Sequence, residues 1–106
     1  MNPRIVMVAY KPKTGMENTL KELVKSHHAR LKEQDLVTDR TPIMMQSQDG
    51  TIIEVFEWKS LDAIQQAHTN KVVGEMWAEF AQVCDYTPIG KLSESADLFA
   101  NYTAIN

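Results

Sequence analysis

Asp49-Gly50 stands between two apolar runs, Thr38 to Gln48 and Thr51 to Lys59, and constrains this chain more than any other feature. A dipeptide of this kind between alternating segments signals a β-hairpin with a two-residue loop, which needs positive φ at both turn positions. Such a loop pairs Gln48 with Thr51, placing Ile43 opposite Phe56 and Met45 opposite Glu54. One face then carries Thr41, Ile43, Met45, Ser47, Ile52, Glu54, Phe56 and Trp58. The other carries Pro42, Met44, Gln46, Ile53, Val55 and Glu57. Neither face is polar, so both are expected to be covered, one by the chain's own helices and the other by a second copy. Pro42 marks its strand as an edge, because proline cannot donate to the ladder.

The flanking segments supply the cover. Arg4 to Tyr10 is apolar on both alternating faces and reads as a central strand that Lys11-Pro12-Lys13 ends. Thr14-Gly15-Met16-Glu17 has the form of a capping box, opening a helix to about Glu33. Its apolar stripe holds Met16, Leu20, Leu23, Val24, His27 and Leu31. His27 and His28 read as boundary residues with one nitrogen in water. As helical neighbours they point about 100° apart and do not suit chelation of one metal. Ser60 is the N-cap expected for a helix from Leu61 to about His68, with Leu61, Ile64 and His68 facing inward. Asn70 can cap the next helix, Lys71 to Cys84, whose stripe is Val73, Met76, Trp77, Phe80 and Cys84. Tyr86 to Glu94 reads as an irregular connector, and Leu98 to Ile105 as the last strand. The expectation is an α+β fold, a ferredoxin-like βαββαβ sandwich with a four-stranded antiparallel sheet and helices on one face.

At 106 residues the chain suits a single domain, of a size at which oligomerisation often supplements burial. A net charge of −3 without a Lys/Arg block argues against nucleic acid or an anionic membrane as partner. Cys84 is alone, which rules out an internal disulfide or a cysteine metal cluster and suits a reducing compartment. No apolar run approaches the roughly 18 residues of a membrane span, and the opening MNPRIVMVAYKPK reads as a strand, not a signal peptide. A cytoplasmic location is expected. There is no glycine-rich phosphate loop, no recognisable Ser or Cys nucleophile, no zinc- or iron-type ligand spacing, and no flavin or nicotinamide fingerprint. Neither metal nor cofactor is expected.

The passages EVFEWKSLDAIQQAH and TNKVVGEMW, with the closing PIGKLSE and LFANY, resemble the antibiotic-biosynthesis-monooxygenase family of dimeric α/β-barrel proteins. The resemblance implies a homodimer whose two sheets face one another. That family includes cofactor-free oxygenases of phenolic or quinol-like substrates, haem-degrading enzymes, isomerases and many proteins of unknown activity. Haem-degrading members carry an asparagine, a tryptophan and a ligand histidine at positions that fall near Ala9, at Ala67 and at Trp77. The haem ligand is absent here, and haem degradation is not expected. His68 matches the helix histidine of many other members.

A cofactor-free oxygenase needs a base to deprotonate an electron-rich phenol or enol, and a dry aromatic pocket to hold the anion while it passes an electron to oxygen. His68 is the best base, since its ordinary pKa suits neutral pH. Glu54 is the second, because a carboxylate flanked by Met45 and Phe56 is raised in pKa by desolvation if unpaired. Tyr10, Phe56, Trp58 and Trp77 are candidate substrate-binding residues, with Tyr10 as hydrogen-bond donor, and Arg40 could pair with an anion. Each has a plainer alternative. His68 could be a satisfied core histidine and Glu54 a paired or dimer-interface carboxylate. Trp77 could be core and Arg40 an exposed strand-end residue. Two functions stay open: a cofactor-independent monooxygenase of a small aromatic substrate, and a non-catalytic dimeric module that binds a small ligand or serves structure alone. A cavity of at least roughly 300 Å³ touching His68 favours the first.

Overall fold

The structure is a computed structural model that describes residues 2–106. Its centre is the antiparallel pair β1 (Arg4–Pro12) and β3 (Ile52–Trp58), in register from Arg4 opposite Trp58 to Tyr10 opposite Ile52. Both strands are β-branched and apolar on either face, which suits positions covered on two sides. The remaining elements are α1 (Glu17–Glu33), β2 (Ile43–Gln46), α2 (Leu61–Thr69), α3 (Lys71–Val83), β4 (Cys84–Thr87) and β5 (Thr103–Ala104). The sheet has five antiparallel strands in the order β4-β1-β3-β2-β5, not the four expected.

All three helices cover one face, where Tyr10, Ile52, Phe56 and Trp58 meet Leu20, Val24, Leu31, Ala63, Ala67, Val73, Met76 and Phe80. The two short helices start where their caps dictate. Ser60 Oγ accepts from the Ala63 N–H at 3.1 Å and Asn70 Oδ1 from the Val73 N–H at 3.0 Å. The expected capping box at Thr14 does not form. Met16 occupies the N-cap without a side-chain bond, and a turn through Gly15 at φ +80° leads into the helix.

The hairpin departs from expectation by one residue. Ile43 pairs with Val55, Met44 with Glu54 and Met45 with Ile53. The Ser47 N–H donates to Thr51 O at 2.8 Å, so the loop has three residues, Gln48 to Gly50. Gly50 alone of Asp49-Gly50 takes positive φ, at +93°. The Asp49 carboxylate accepts from the Thr51 N–H at 2.9 Å, closing a turn that does not need left-handed geometry at Asp49. A one-residue slip exchanges faces. Met44 and Gln46, not Ile43 and Met45, therefore lie beside Glu54 and Ile52 under the helices.

Two further corrections concern the C-terminal third. Cys84 to Thr87 is a strand, pairing Tyr86 with Tyr10 and Cys84 with Pro12, so β1 continues through Pro12 and the expected connector begins as an edge strand. Of Leu98 to Ile105 only Thr103–Ala104 pairs, alongside β2, so the Pro42 strand is not a free edge. Between these strands the chain crosses the second sheet face through two short turns, Ile89–Lys91 and Ser93–Ala96. There Leu92, Ile89 and Tyr102 pack on Ala9, Ile53, Met45 and Val55. Glu94 pins the crossing by accepting from Ser47 Oγ and from the Gln48 N–H, each at 2.9 Å. The second face is thus partly covered by its own chain, and Ile5, Met7 and Ile43 stay more than half exposed.

A candidate ligand cavity between sheet and helices

A cavity of about 440 Å³ opens between the helices and the sheet, lined by Val6, Val8, Tyr10, His27, Phe56, Trp58, Ile64, His68, Trp77 and Tyr86. β1 contributes its floor, since Val6, Val8 and Tyr10 share the face that alternation turns toward the helices. Phe56 and Trp58 extend the floor from β3, their rings 5.3 Å apart. The lining is apolar and aromatic, with a few polar atoms, as ligand sites usually are.

Behind the wall lies a buried polar network. Glu54 is 0% exposed, and its Oε1 accepts from the Tyr10 hydroxyl at 2.7 Å and from His27 Nδ1 at 2.8 Å. The Trp77 indole N–H donates to His27 Nε2 at 3.1 Å. Because an indole nitrogen can only donate, His27 Nε2 is the acceptor and the ring's proton sits on Nδ1, aimed at Glu54. Burial, followed by the Glu54 charge, lifts the Tyr10 hydroxyl far above the usual tyrosine range. Tyr10 is therefore a fixed neutral phenol. Its proton is committed to Glu54, contrary to the expectation that it would donate to a ligand.

Glu54 itself is not among the lining residues. The slipped register sets it opposite Met44, and it is paired through Tyr10 and His27, as the plainer reading of a buried carboxylate required. Its second oxygen, Oε2, is buried with no partner.

His68 does not face inward as its spacing suggested. The buried residues of α2 are Ala63 and Ala67. Their small side chains let the helix lie close to the sheet, which turns Leu61 out and leaves His68 exposed at the rim. His68 nevertheless touches the cavity, its ring 5.4 Å from that of Trp77. Nδ1–H donates to the Ile64 carbonyl at 2.8 Å, so Nε2 keeps its lone pair free. Arg40 pairs with Glu57 at 3.2 Å on the exposed surface and lies away from the cavity.

His27 and Tyr86 are the lining residues with polar side chains that sequence reasoning did not place at the site. For His27 the signal was present, because it recurs with Leu20, Val24 and Leu31 on one stripe, and all four are buried. Tyr86 could be found only by recognising β4. Among the described residues no group of three or more His, Cys, Asp or Glu side chains is placed to hold a metal, and no helix is long and apolar enough to cross a membrane.

The chain defines an α+β protein with a ligand-sized cavity between sheet and helices. Comparison with protein-family models, curated proteins and solved structures finds no match.

Proposed function

We propose that this chain is a cofactor-independent monooxygenase of a small phenol- or quinol-like substrate, resembling the antibiotic-biosynthesis-monooxygenase family. One observation carries the reading: an apolar cavity of about 440 Å³ touches a histidine whose Nδ1–H is pinned and whose Nε2 is free. In this reading Nε2 takes the proton of the substrate hydroxyl. The phenolate passes one electron to dioxygen, and the two radicals combine at a ring carbon. Loss of water from the resulting peroxide leaves a carbonyl there. A phenol and one dioxygen become a quinone and one water, with all electrons supplied by the substrate. The aromatic wall excludes water, which strengthens each polar contact during transfer.

The order β4-β1-β3-β2 within the sheet, with its helices on one face, supports a ferredoxin-like arrangement to which β5 adds an edge. We propose that Ile5, Met7 and Ile43 meet a second copy, giving the facing sheets of a dimeric α/β barrel.

The test is oxygen uptake with a panel of hydroquinones, parent against His68→Ala. Turnover that depends on His68 is the expected result, and turnover indifferent to the substitution removes His68 from the mechanism. A non-catalytic ligand-binding module is the second reading, favoured by the exposed position of His68 at the rim. Ligand binding without oxygen uptake on any panel member would select it.

A further inference from the structure

Six side chains with polar atoms line the cavity, and most of those atoms are already committed. Tyr10 donates to Glu54, both nitrogens of His27 are engaged, the Trp77 N–H serves His27, and His68 Nδ1–H serves Ile64. Besides His68 Nε2, the groups left over are the Trp58 indole N–H and the Tyr86 hydroxyl, neither of which has a partner among the described residues. Among the described residues, the only side-chain polar atoms both sealed in the interior and unpartnered are Thr51 Oγ1 and Glu54 Oε2. Trp58 is only 5% exposed as a whole and lines the cavity.

The register sets the residues that carry these two donors far apart along the sheet. Trp58 belongs beside Arg4 and Tyr86 beside Tyr10. Six steps along β1 separate those partners, about 20 Å of strand. Val6 and Val8 lie between them on the same wall. No lysine or arginine lines the cavity, and the Glu54 charge stands behind Tyr10, so a ligand arriving as an anion would find no fixed counter-ion there.

The geometry points to Trp58 and Tyr86 as specificity-determining donors at opposite ends of the cavity, which together select an uncharged, elongated aromatic ligand carrying an acceptor oxygen at each end. The inference rests on reading this cavity as a ligand site, and narrows the substrate class proposed above. A ligand with one oxygen can satisfy either donor but not both. The donor left over then loses the hydration it had and gains nothing in return.

Calorimetric titration with 4,4″-dihydroxy-para-terphenyl, a rigid three-ring rod with a hydroxyl at each end, and with 4-hydroxy-para-terphenyl, which has one, tests this directly. The parent should bind the diol about fivefold more tightly, the worth of one net hydrogen bond. In Tyr86→Phe, and equally in Trp58→Phe, the two affinities should converge, because the mono-ol turns to whichever donor remains. Tyr86 is exposed and its hydroxyl is unpartnered, so Tyr86→Phe keeps the fold even if the buried Trp58→Phe does not. Absence of binding, equal affinities in the parent, or a preference that survives Tyr86→Phe overturns the assignment. Failure of oxygen uptake would sink the monooxygenase reading while leaving the diol preference intact. Loss of the preference would leave His68-dependent uptake standing.

Discussion

His27 Nδ1 lies 2.8 Å from Glu54 Oε1, with the two side chains 3% and 0% exposed, and this pair joins α1 to the centre of the sheet. Removing one partner of a buried hydrogen bond leaves the other desolvated without compensation, and the cost is greatest when that other is a carboxylate. His27→Ala should accordingly cost about 3 kcal/mol in urea unfolding. It also deprives the Trp77 N–H of its acceptor. A loss below about 1 kcal/mol, the scale of an ordinary surface substitution, would show that Glu54 is satisfied without His27.

His68→Ala should behave in the opposite way. The side chain is exposed and its one bond is to its own helix, so stability should stay within about 0.5 kcal/mol of the parent. Oxygen uptake should fall by about a hundredfold or more, the usual worth of a general base. A parallel loss of stability and activity would assign His68 a packing role.

The exposed apolar trio Ile5, Met7 and Ile43 predicts self-association. Sedimentation at micromolar concentration should give a dimer of the 12.1 kDa chain, and Met7→Lys should yield the monomer. A parent that sediments as a stable monomer contradicts the paired-sheet arrangement.

Glu94 makes the C-terminal crossing sensitive to acid. The Gln48 N–H, with Ser47 and Ser93 adding to it, holds the Glu94 carboxyl below the usual carboxylate range. A depressed folded-state pKa means that this contribution is complete above the ordinary glutamate pKa and is lost as pH falls through the folded value. The Leu92 amide, bonded to the Ile89 carbonyl, should therefore lose its protection from exchange in acid before the amides of β3 do, and Glu94→Gln should largely remove the difference. Equal acid sensitivity in parent and variant would point to another group.

Cys84 should resist alkylation at neutral pH. Burial, with Asp85 adding to it, pushes its thiol up to about 11, and its S–H is committed to the Phe80 carbonyl. Since the thiolate is the reacting species, iodoacetamide should label it only as fast as the chain opens. Prompt stoichiometric labelling of the native protein would contradict its burial.

Much of the site was legible because its wall is written in strand alternation. Phe56 and Trp58 follow from the period of β3, and Tyr10 from that of β1, and all three line the cavity. Trp77 was legible as a helix residue facing inward, but its bond to His27 depends on where α1 lies relative to α3. The orientation of His68 failed for a similar reason. Spacing put Leu61, Ile64 and His68 on one face, whereas close approach to the sheet selected the two alanines instead.

What the chain determined by itself were the features enforced by near neighbours: the strands around Val6 and Val55, the helix starts at Ser60 and Asn70, and the existence of a turn at Asp49-Gly50. Each rests on hydrogen bonds or side-chain period within a few residues. Tertiary structure decided the one-residue register of β2, the pairing of Cys84 to Thr87 with β1, the burial of Glu54 with His27, and the seating of His68 at the cavity rim. Those outcomes turn on which distant surfaces meet, and in the hairpin both candidate faces were apolar enough to leave that choice to the packing.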